Sequence, residues 1–113
     1  FLPDADLMSV QQMHESSKII SLTPEEYMRL NDTYFTKGGY FETEIHRELH
    51  TYGIVAQVMS TYESRRQAEA PAYSRGINAF QLLFDGTRWW IASATWDRET
   101  PDDPIPGEYL PAE

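Results

Sequence analysis

The chain has 113 residues, which is enough for one hydrophobic core and predicts a single domain over residues 1–113. Apolar side chains make up 41% of the sequence, which excludes general disorder, and the absence of cysteine excludes disulfides, thiol nucleophiles and thiolate metal sites. A formal net charge of -9 argues against nucleic acid or an anionic membrane as a partner, and because no signal peptide or bilayer-length apolar run is present we expect a cytoplasmic protein.

The first 21 residues predict little regular structure. We interpret Phe1–Val10 as a turn or an edge strand, because Pro3 cannot donate to a central ladder. Gln11–Ser21 is mostly polar and predicts a loop with a helical turn. The chain starts abruptly on an apolar residue, so we expect that the beginning of a longer polypeptide is missing.

The clearest helix is predicted over Leu22–Lys37. Thr23 can serve as the N-cap, Pro24 occupies the first helical position, and Glu26 completes a capping box. A glycine pair at 38–39 ends the helix. The side chains expected to face inward are those of Tyr27, Leu30 and Tyr34.

Two strands are predicted after the helix. Tyr40–Leu49 alternates in polarity, His50–Gly53 predicts a turn, and Ile54–Ser64 is rich in strand-forming residues. Arg65–Ser74 is polar, contains a proline and predicts a loop. In the first strand, one face would carry Phe41, Thr43, Ile45, Arg47 and Leu49, and the other Glu42, Glu44, His46 and Glu48.

An H-x-E-x-H pattern spans His46, Glu48 and His50. On one strand the three side chains would share a face, and two imidazoles with a carboxylate can bind a metal. The pattern differs from the helical zinc-protease motif, and His50 falls in the predicted turn, which would break the alignment. A solvated strand face explains these residues as well, so we expect no metal and no cofactor.

The strongest signal is a hairpin around Asp85-Gly86, which separates two apolar, aromatic-rich runs. The predicted strands are Ile77–Phe84 and Arg88–Trp96, and Gly86 can take the positive φ of a tight turn. Neither face is mostly charged, so the hairpin should lie at the centre of a sheet. One face would carry Asn78, Phe80, Leu82, Trp89, Ile91, Ser93 and Thr95, and the other Ile77, Ala79, Gln81, Leu83, Arg88, Trp90, Ala92, Ala94 and Trp96.

The order of these elements predicts an α+β fold, in which a curved antiparallel sheet wraps around helices. After Trp96, four prolines exclude regular structure, although Ile105, Tyr109 and Leu110 should hold the tail against the body.

The chain resembles an uncharacterised bacterial branch of the nuclear transport factor 2-like superfamily, also called SnoaL-like. The residues that carry the resemblance are G-I-V-A-Q-V-M-S-T-Y-E-S-R (53–65), R-G-I-N-A-F-Q-L-L-F-D-G-T-R-W-W-I (75–91), Trp96 and P-I-P-G-E-Y-L (104–110). The resemblance implies a cone-shaped sheet with an internal cavity. It also implies a helical hairpin at the N-terminus, which this sequence does not show.

The resemblance implies a small-molecule site in that cavity, and the candidate residues follow from it. An acidic residue near the first strand would act as a general base or a polar anchor, which makes Asp4 and Asp6 candidate catalytic residues. Tyr27, on the predicted helix, is the third candidate catalytic residue. A surface turn explains the aspartates as well, and a tyrosine on a helix stripe is often part of a core. The candidate ligand-binding residues are Tyr34, Gln57, Asn78, Trp89, Ser93 and Thr95.

Two functions remain open. The first is a cone that binds a small apolar or aromatic molecule, with metal-free acid–base chemistry of the isomerase or dehydratase type. The second is a non-catalytic dimerisation or binding module whose cavity is only core. In either case we expect a homodimer through a weakly charged sheet face, where small side chains lie between large rings. That face is predicted to carry Trp90, Ala92, Ala94 and Trp96.

Overall fold

The computed structural model describes residues 1–13, 16–29, 41–67 and 69–112, and within them six strands form one sheet. The strands are β1 (Asp6–Met13), β2 (Ser16–Leu22), β3 (Phe41–Tyr52), β4 (Val55–Arg65), β5 (Ser74–Phe84) and β6 (Trp89–Arg98). Their spatial order is β2-β1-β6-β5-β4-β3, with β1 parallel to β6 and every other pair antiparallel. The predicted hairpin is therefore central in this sheet.

The four predicted strands are confirmed, with ends that shift by at most three residues. At the first hairpin, β3 continues through Tyr52 and the turn is only Gly53-Ile54. Gly53 has a φ of 55°, which lets the chain reverse in two residues. The prediction of a turn that begins at His50 is therefore wrong, because His50 pairs with Gln57 inside the ladder.

The prediction for Phe1–Val10 is confirmed in part, because residues from Asp6 onward form a strand, but this strand is interior rather than at the edge. The prediction of a loop with a helical turn for Gln11–Ser21 is wrong, because the described residues of that stretch lie in β1 and β2. β1 lies between β2 and β6, where the backbone of Leu7 pairs with Ala94. Leu7 is only 5% exposed, so burial and pairing outweigh the turn signal of Pro3, which precedes the strand. β2 is the edge strand, and one open side tolerates the polar residues that favoured a loop.

The predicted helix start is confirmed. Residues 24–29 are helical, and the Thr23 amide donates to Glu26 Oε1 at 3.0 Å while the Glu26 amide donates to Thr23 Oγ1 at 3.2 Å. The Thr23 amide is also the main cause that lowers the pKa of Glu26 below its ordinary value. Leu30, Tyr34 and the predicted helix end lie outside the described residues. Within those residues, no helix is long and apolar enough to cross a membrane.

Two β-bulges determine which side chains lie on each face of the sheet. In β6, Gln81 pairs with Ser93 but Leu82 pairs with Ile91, so Ala92 is an extra residue. In β3 the register shifts in the same way at Ile45. We call the side that carries Leu7 the inner face and the opposite side the outer face. The inner face carries Leu7, Tyr62, Asn78, Phe80, Ala94 and Trp96, and the outer face carries Asp6, His46, Gln57, Ala79, Gln81, Ser93 and Thr95.

The predicted face lists are therefore wrong beyond each bulge. Side chains alternate with a period of two, so one extra residue moves every later side chain to the opposite side. Ser93 and Thr95 lie on the outer face rather than beside Asn78, and Ala94 and Trp96 lie on the inner face rather than beside Ala79. The buried core is accordingly on the inner face, where Ala5, Leu7 and Ala94 contact Leu2, Tyr27, Phe80 and Trp96.

The tail lies against the sheet, as predicted. Arg75 donates to both carboxylate oxygens of Glu99 at 2.8 and 3.0 Å, and the Ile105 amide donates to the same carboxylate at 2.8 Å. A 3-10 turn at Gly107–Tyr109 then brings the Tyr109 carbonyl within 2.6 Å of the Thr61 hydroxyl. Thr61 is 0% exposed, so the tail covers this end of the outer face.

The β5–β6 loop is held by Asp85. The loop takes in Thr87 and Arg88 as well as Asp85-Gly86, so it is longer than the predicted two-residue turn. Asp85 Oδ1 accepts from the amides of Thr87 and Arg88 at 2.8 and 3.0 Å, and Oδ2 accepts from the Trp90 indole at 2.7 Å. The hydrogen bonds from the Arg88 amide, the Trp90 indole and the Thr87 amide lower the pKa of Asp85 from 3.8 to about 2.

We predict that Asp85→Asn makes the free energy of unfolding less dependent on pH between pH 7 and pH 2. Because the folded-state pKa lies below the ordinary one, the ionised carboxylate stabilises the fold above pH 3.8, and this contribution is lost as the pH falls through about 2. Urea unfolding from pH 7 to pH 2 should show the unmodified protein more stable at pH 7 and the two proteins converging near pH 2. Asp102→Asn in the exposed tail is the control, and a stability gap that stays constant with pH would contradict the assignment.

Candidate functional site

A cavity of about 390 Å³ opens on the inner face of the sheet. β1, β4, β5 and β6 supply its floor and walls, and the helical segment 24–29 covers one side through Tyr27. The lining residues are Phe1, Leu7, Tyr27, Glu42, Tyr62, Asn78, Phe80, Ala94 and Trp96. A second cavity of about 300 Å³ adjoins it and shares Leu7, Tyr27 and Trp96.

The floor of this inner cavity is apolar and aromatic. Leu7 and Ala94 are 5% and 4% exposed, and Phe80 packs against them. The rings of Tyr27 and Trp96 meet edge to face, with centroids 5.6 Å apart and an interplanar angle of 75°. Trp96 is fixed there because β1 runs beside it, with the Ser9 hydroxyl donating to the Trp96 carbonyl at 3.1 Å. The aromatic wall is therefore held by both strands and helix.

The polar groups of the lining come together at one side. The Asn78 amide donates to Glu42 Oε1 at 3.3 Å, which joins β5 to β3 across the intervening β4. Tyr62 lies between them on β4, and Tyr27 reaches the same space from the helical segment. Burial, with the negative charge of Glu42 as the next cause, raises the pKa of Tyr62 above its ordinary value. Its phenol therefore stays protonated at neutral pH and can donate a hydrogen bond to a ligand.

Gly76 fixes the position of Tyr62. The two residues are paired across β4 and β5, and a Cβ at position 76 would lie 2.6 Å from Tyr62 Cζ and 2.5 Å from the Asp97 carbonyl oxygen. A ring can move away from such a contact, but the backbone carbonyl of a paired strand cannot move easily. The absence of a side chain at Gly76 is thus what lets the Tyr62 ring lie flat over β5.

The structure brings together only two of the predicted site residues, Tyr27 and Asn78. Trp89 is 37% exposed at the end of β6, where it packs against Phe84 at a centroid distance of 5.3 Å. The other described ligand-binding candidates, Gln57, Ser93 and Thr95, lie on the outer face, where the Ser93 hydroxyl donates to Gln81 at 3.1 Å. Tyr34 lies outside the described residues.

The two predicted general bases, Asp4 and Asp6, do not line the cavity. Both are exposed, and Asp6 alternates with the buried Leu7, so its carboxylate lies on the outer face. Among the carboxylates of the described chain, Glu42 is the one that borders this cavity. The sequence grouped Glu42 on one face with Glu44, His46 and Glu48, and no pattern marked it as a site residue.

The H-x-E-x-H residues lie along the outer face. His46 Nε2 is 3.2 Å from Glu48 Oε1, and His50 follows on the same face opposite Gln57. In the part of the chain that the structure describes, no group of three His, Cys, Asp or Glu residues is arranged to hold a metal ion.

A larger depression of about 500 Å³ lies at the turn end of the sheet. Its walls include Tyr52 and Val55, which are 85% and 47% exposed, and Leu83, which is 41% exposed. It lacks a buried polar side chain among its lining, whereas the inner cavity combines buried Tyr62 with a carboxylate and an amide. We therefore take the inner cavity as the candidate functional site.

Seven of the lining residues were not predicted as part of the site: Phe1, Leu7, Glu42, Tyr62, Phe80, Ala94 and Trp96. The alternation of β4 and β5 could have grouped Tyr62 with Phe80, because both fall on the inner set of their strands. Trp96 was predicted to lie on the opposite face and to take part in the homodimer contact.

We predict that Gly76→Ala destabilises the fold by about 1–3 kcal/mol, the usual cost of forcing a methyl group into a packed contact. Gly107→Ala is the matched control, because a Cβ there meets nothing within 4 Å. The free energy of unfolding in urea measures both variants. Equal stability of Gly76→Ala and the unmodified protein would contradict the close approach of Tyr62 and Asp97.

Comparison with known proteins supports the fold. No protein-family model and no curated protein matches the sequence. Among solved structures, the chain is similar to a protein of unknown function with a cystatin-like fold from Nostoc punctiforme PCC 73102, with a TM-score of 0.66, 10% identity, and coverage of 89% of this chain and 72% of that one.

Two further similar structures are NTF2-like proteins of unknown function. The one from Shewanella baltica OS155 has a TM-score of 0.60 and 13% identity, and covers 88% of this chain and 73% of its own. The one from Silicibacter pomeroyi DSS-3 has a TM-score of 0.56, 15% identity and the same coverage, 88% and 73%. These likenesses confirm the fold that the resemblance implied, because the chain has an α+β fold similar to that of nuclear transport factor 2-like proteins.

Proposed function

We propose that this protein binds a small apolar or aromatic molecule in the inner cavity. The observation that carries the proposal is the composition of the lining, in which an aromatic floor is bordered on one side by a carboxylate, an amide and two phenols. Small-molecule sites have this composition, because apolar walls supply affinity and a few polar groups fix orientation.

The size of the cavity supports the same proposal. A volume of about 390 Å³ is within the range of ligand pockets, which extends from about 300 to 1,000 Å³. The adjoining cavity, which shares Leu7, Tyr27 and Trp96, extends the space along β1 and β2. A molecule of one or two rings would fill the inner cavity and contact Phe80 and Trp96.

Acid–base catalysis is not part of this proposal. The sequence-based hypothesis needed a carboxylate with a raised pKa inside the cavity, and Asp4 and Asp6, its two candidates, are exposed outside it. Tyr62 is a hydrogen-bond donor at neutral pH, and donation alone is enough for binding. We therefore propose a binding function, with the catalytic roles of Asp4 and Asp6 left as predictions from the sequence.

We predict that N-phenyl-1-naphthylamine, a neutral aromatic probe whose fluorescence rises in apolar surroundings, binds the unmodified protein with micromolar affinity. Ala94→Leu should weaken this binding by about tenfold or more, because the added carbons occupy the floor of the cavity. Ala79→Leu is the matched control, because it enlarges an alanine of the same hairpin on the outer face.

The result of this experiment distinguishes a ligand cavity from a cavity that is only core. Probe binding that Ala94→Leu removes and Ala79→Leu preserves supports a ligand cavity. Absence of binding to the unmodified protein, or equal binding to both variants, would contradict the proposal and favour a module whose cavity is only core. Circular dichroism and thermal unfolding should accompany each variant, so that loss of binding is not confused with loss of the fold.

We also propose that the outer face forms a homodimer. Its centre carries mostly neutral side chains, with Asp6 beside Ser93, and its apolar rim includes Val55 at 47% and Leu83 at 41% exposure. The tail covers the end near Thr61. The bulge at Ala92 changes the proposed contact residues, since Ala94 and Trp96 lie on the inner face. The outer-face residues at the centre of the proposed contact are Gln57, Ala79, Gln81, Trp90, Ser93 and Thr95.

We predict that Thr95→Arg converts the dimer into a monomer, because a buried charge without a partner costs several kcal/mol. Thr95 is exposed on the outer face, and Thr87→Arg in the exposed β5–β6 loop is the matched control. Light scattering should give the mass of a dimer for the unmodified protein and for Thr87→Arg at micromolar concentration. A monomer mass for the unmodified protein would refute the dimer.

A further inference from the structure

We propose that the ligand of the inner cavity is a small organic cation, in which an alkylated ammonium group is joined to an apolar or aromatic body. This inference rests on the proposed binding function and adds the chemical class of the ligand. It is drawn from the rings that surround the cavity and from the charge at its border.

The first observation is the number of rings that face the same space. Tyr27, Tyr62, Phe80 and Trp96 line the cavity together, on three different strands and the helical segment. The Tyr27 and Trp96 rings are nearly perpendicular, at 75°, and meet edge to face rather than in a stack. Aromatic faces arranged around a space attract a cation through their quadrupoles, and alkylated ammonium groups are the ligands that such cages recognise.

The second observation is the charge of the lining. Glu42 contributes a carboxylate, and the lining of this cavity within the described chain contains no Lys, Arg or His. Arg98 also lies on the inner face, but it is exposed two residues beyond Trp96 and outside the lining. The protein as a whole carries a formal charge of -9, so the long-range field favours a cation as well.

The third observation is how few hydrogen-bond acceptors the cavity offers. A primary ammonium has three N–H donors and is strongly hydrated, so it needs several acceptors to compensate for lost water. The lining supplies Glu42, Asn78 and the phenol oxygens of Tyr27 and Tyr62 on one side, while most of its surface is ring and aliphatic carbon. An ammonium whose hydrogens are replaced by methyl groups loses less hydration and contacts the rings directly.

The same lining disfavours an anion. A ligand carboxylate or sulfonate in this volume would lie close to the Glu42 carboxylate, and like charges at short distance in a partly desolvated site repel strongly. The Tyr27 and Tyr62 phenols can donate to an oxygen of the ligand, but neither carries a positive charge that would offset the repulsion. A neutral ligand is not repelled by Glu42, but it also lacks the attraction of the rings and the carboxylate for a cation.

The experiment compares three probes of almost the same shape: phenyltrimethylammonium, its neutral isostere tert-butylbenzene, and the anion benzenesulfonate. Titration calorimetry with the unmodified protein should give phenyltrimethylammonium an affinity at least about tenfold higher than tert-butylbenzene, with benzenesulfonate the weakest. Raising the salt concentration should weaken only the binding of the cation. Ala94→Leu should weaken the cation and the neutral probe together, which locates both in the inner cavity.

Glu42→Gln tests the role of the carboxylate. This variant should lower the affinity for phenyltrimethylammonium by about tenfold and leave that for tert-butylbenzene unchanged, because the amide keeps the shape and removes the charge. Glu48→Gln is the matched control, because it neutralises a glutamate of the same strand on the outer face. If Glu42→Gln does not fold, the comparison of the three probes and the salt dependence in the unmodified protein decide the question.

The outcomes separate this inference from the function on which it rests. Equal affinity for the cation and its neutral isostere, with both weakened by Ala94→Leu, would refute a cationic ligand but still support the proposed apolar binding site. Tighter binding of benzenesulfonate would overturn it as well. If neither these probes nor N-phenyl-1-naphthylamine bind the unmodified protein, both the proposed function and the proposed ligand class are refuted.

Discussion

The extra residue in β6 is the constraint on which the arrangement of the site depends. Ala92 interrupts the pairing with β5, and the strand beyond it presents the opposite set of side chains. If Ala92 were paired regularly instead of bulged, Ser93 would lie on the inner face and Trp96 on the outer face. With the bulge, Ala94 closes the floor against β1 and Trp96 meets the helical segment. The bulge thus decides that the inner face is apolar and aromatic, because the period of a strand allows only two outcomes.

The elements whose signals are local could be predicted from the sequence. The Thr23–Glu26 capping box is satisfied by side chains three residues apart, and the Asp85-Gly86 turn by a residue pair with its own hydrogen bonds. β1 and β2 could not be predicted, because their stability comes from distant partners. The polar stretches 11–13 and 16–21 form strands only because a neighbouring strand pairs with their backbone.

The same difference between local signals and contacts with distant residues explains which site residues could be predicted. Tyr27 and Asn78 could be predicted, since both follow from the period of a helix or a strand that precedes any bulge. Ser93 and Thr95 could not be placed, because the bulge lies between them and the turn from which alternation is counted. Glu42 could not be identified as a site residue, because its contact with Asn78 joins strands that are not neighbours. The superfamily resemblance predicted the fold and the cavity, but not which side chains line it.

The parallel pairing of β1 with β6 has a consequence for how the cavity opens and closes. The Ser9–Trp96 hydrogen bond joins residues 87 positions apart, whereas β3 to β6 are linked by successive hairpins. Closing so long a loop costs more chain entropy than forming any of those hairpins, and contacts of this kind slow folding. Local opening of the native state would therefore begin at the β1–β2 pair, since its release leaves the other four strands connected. Amide hydrogen exchange would then show β1 and β2 as the least protected strands, although β1 carries Leu7 of the buried core and of the candidate site.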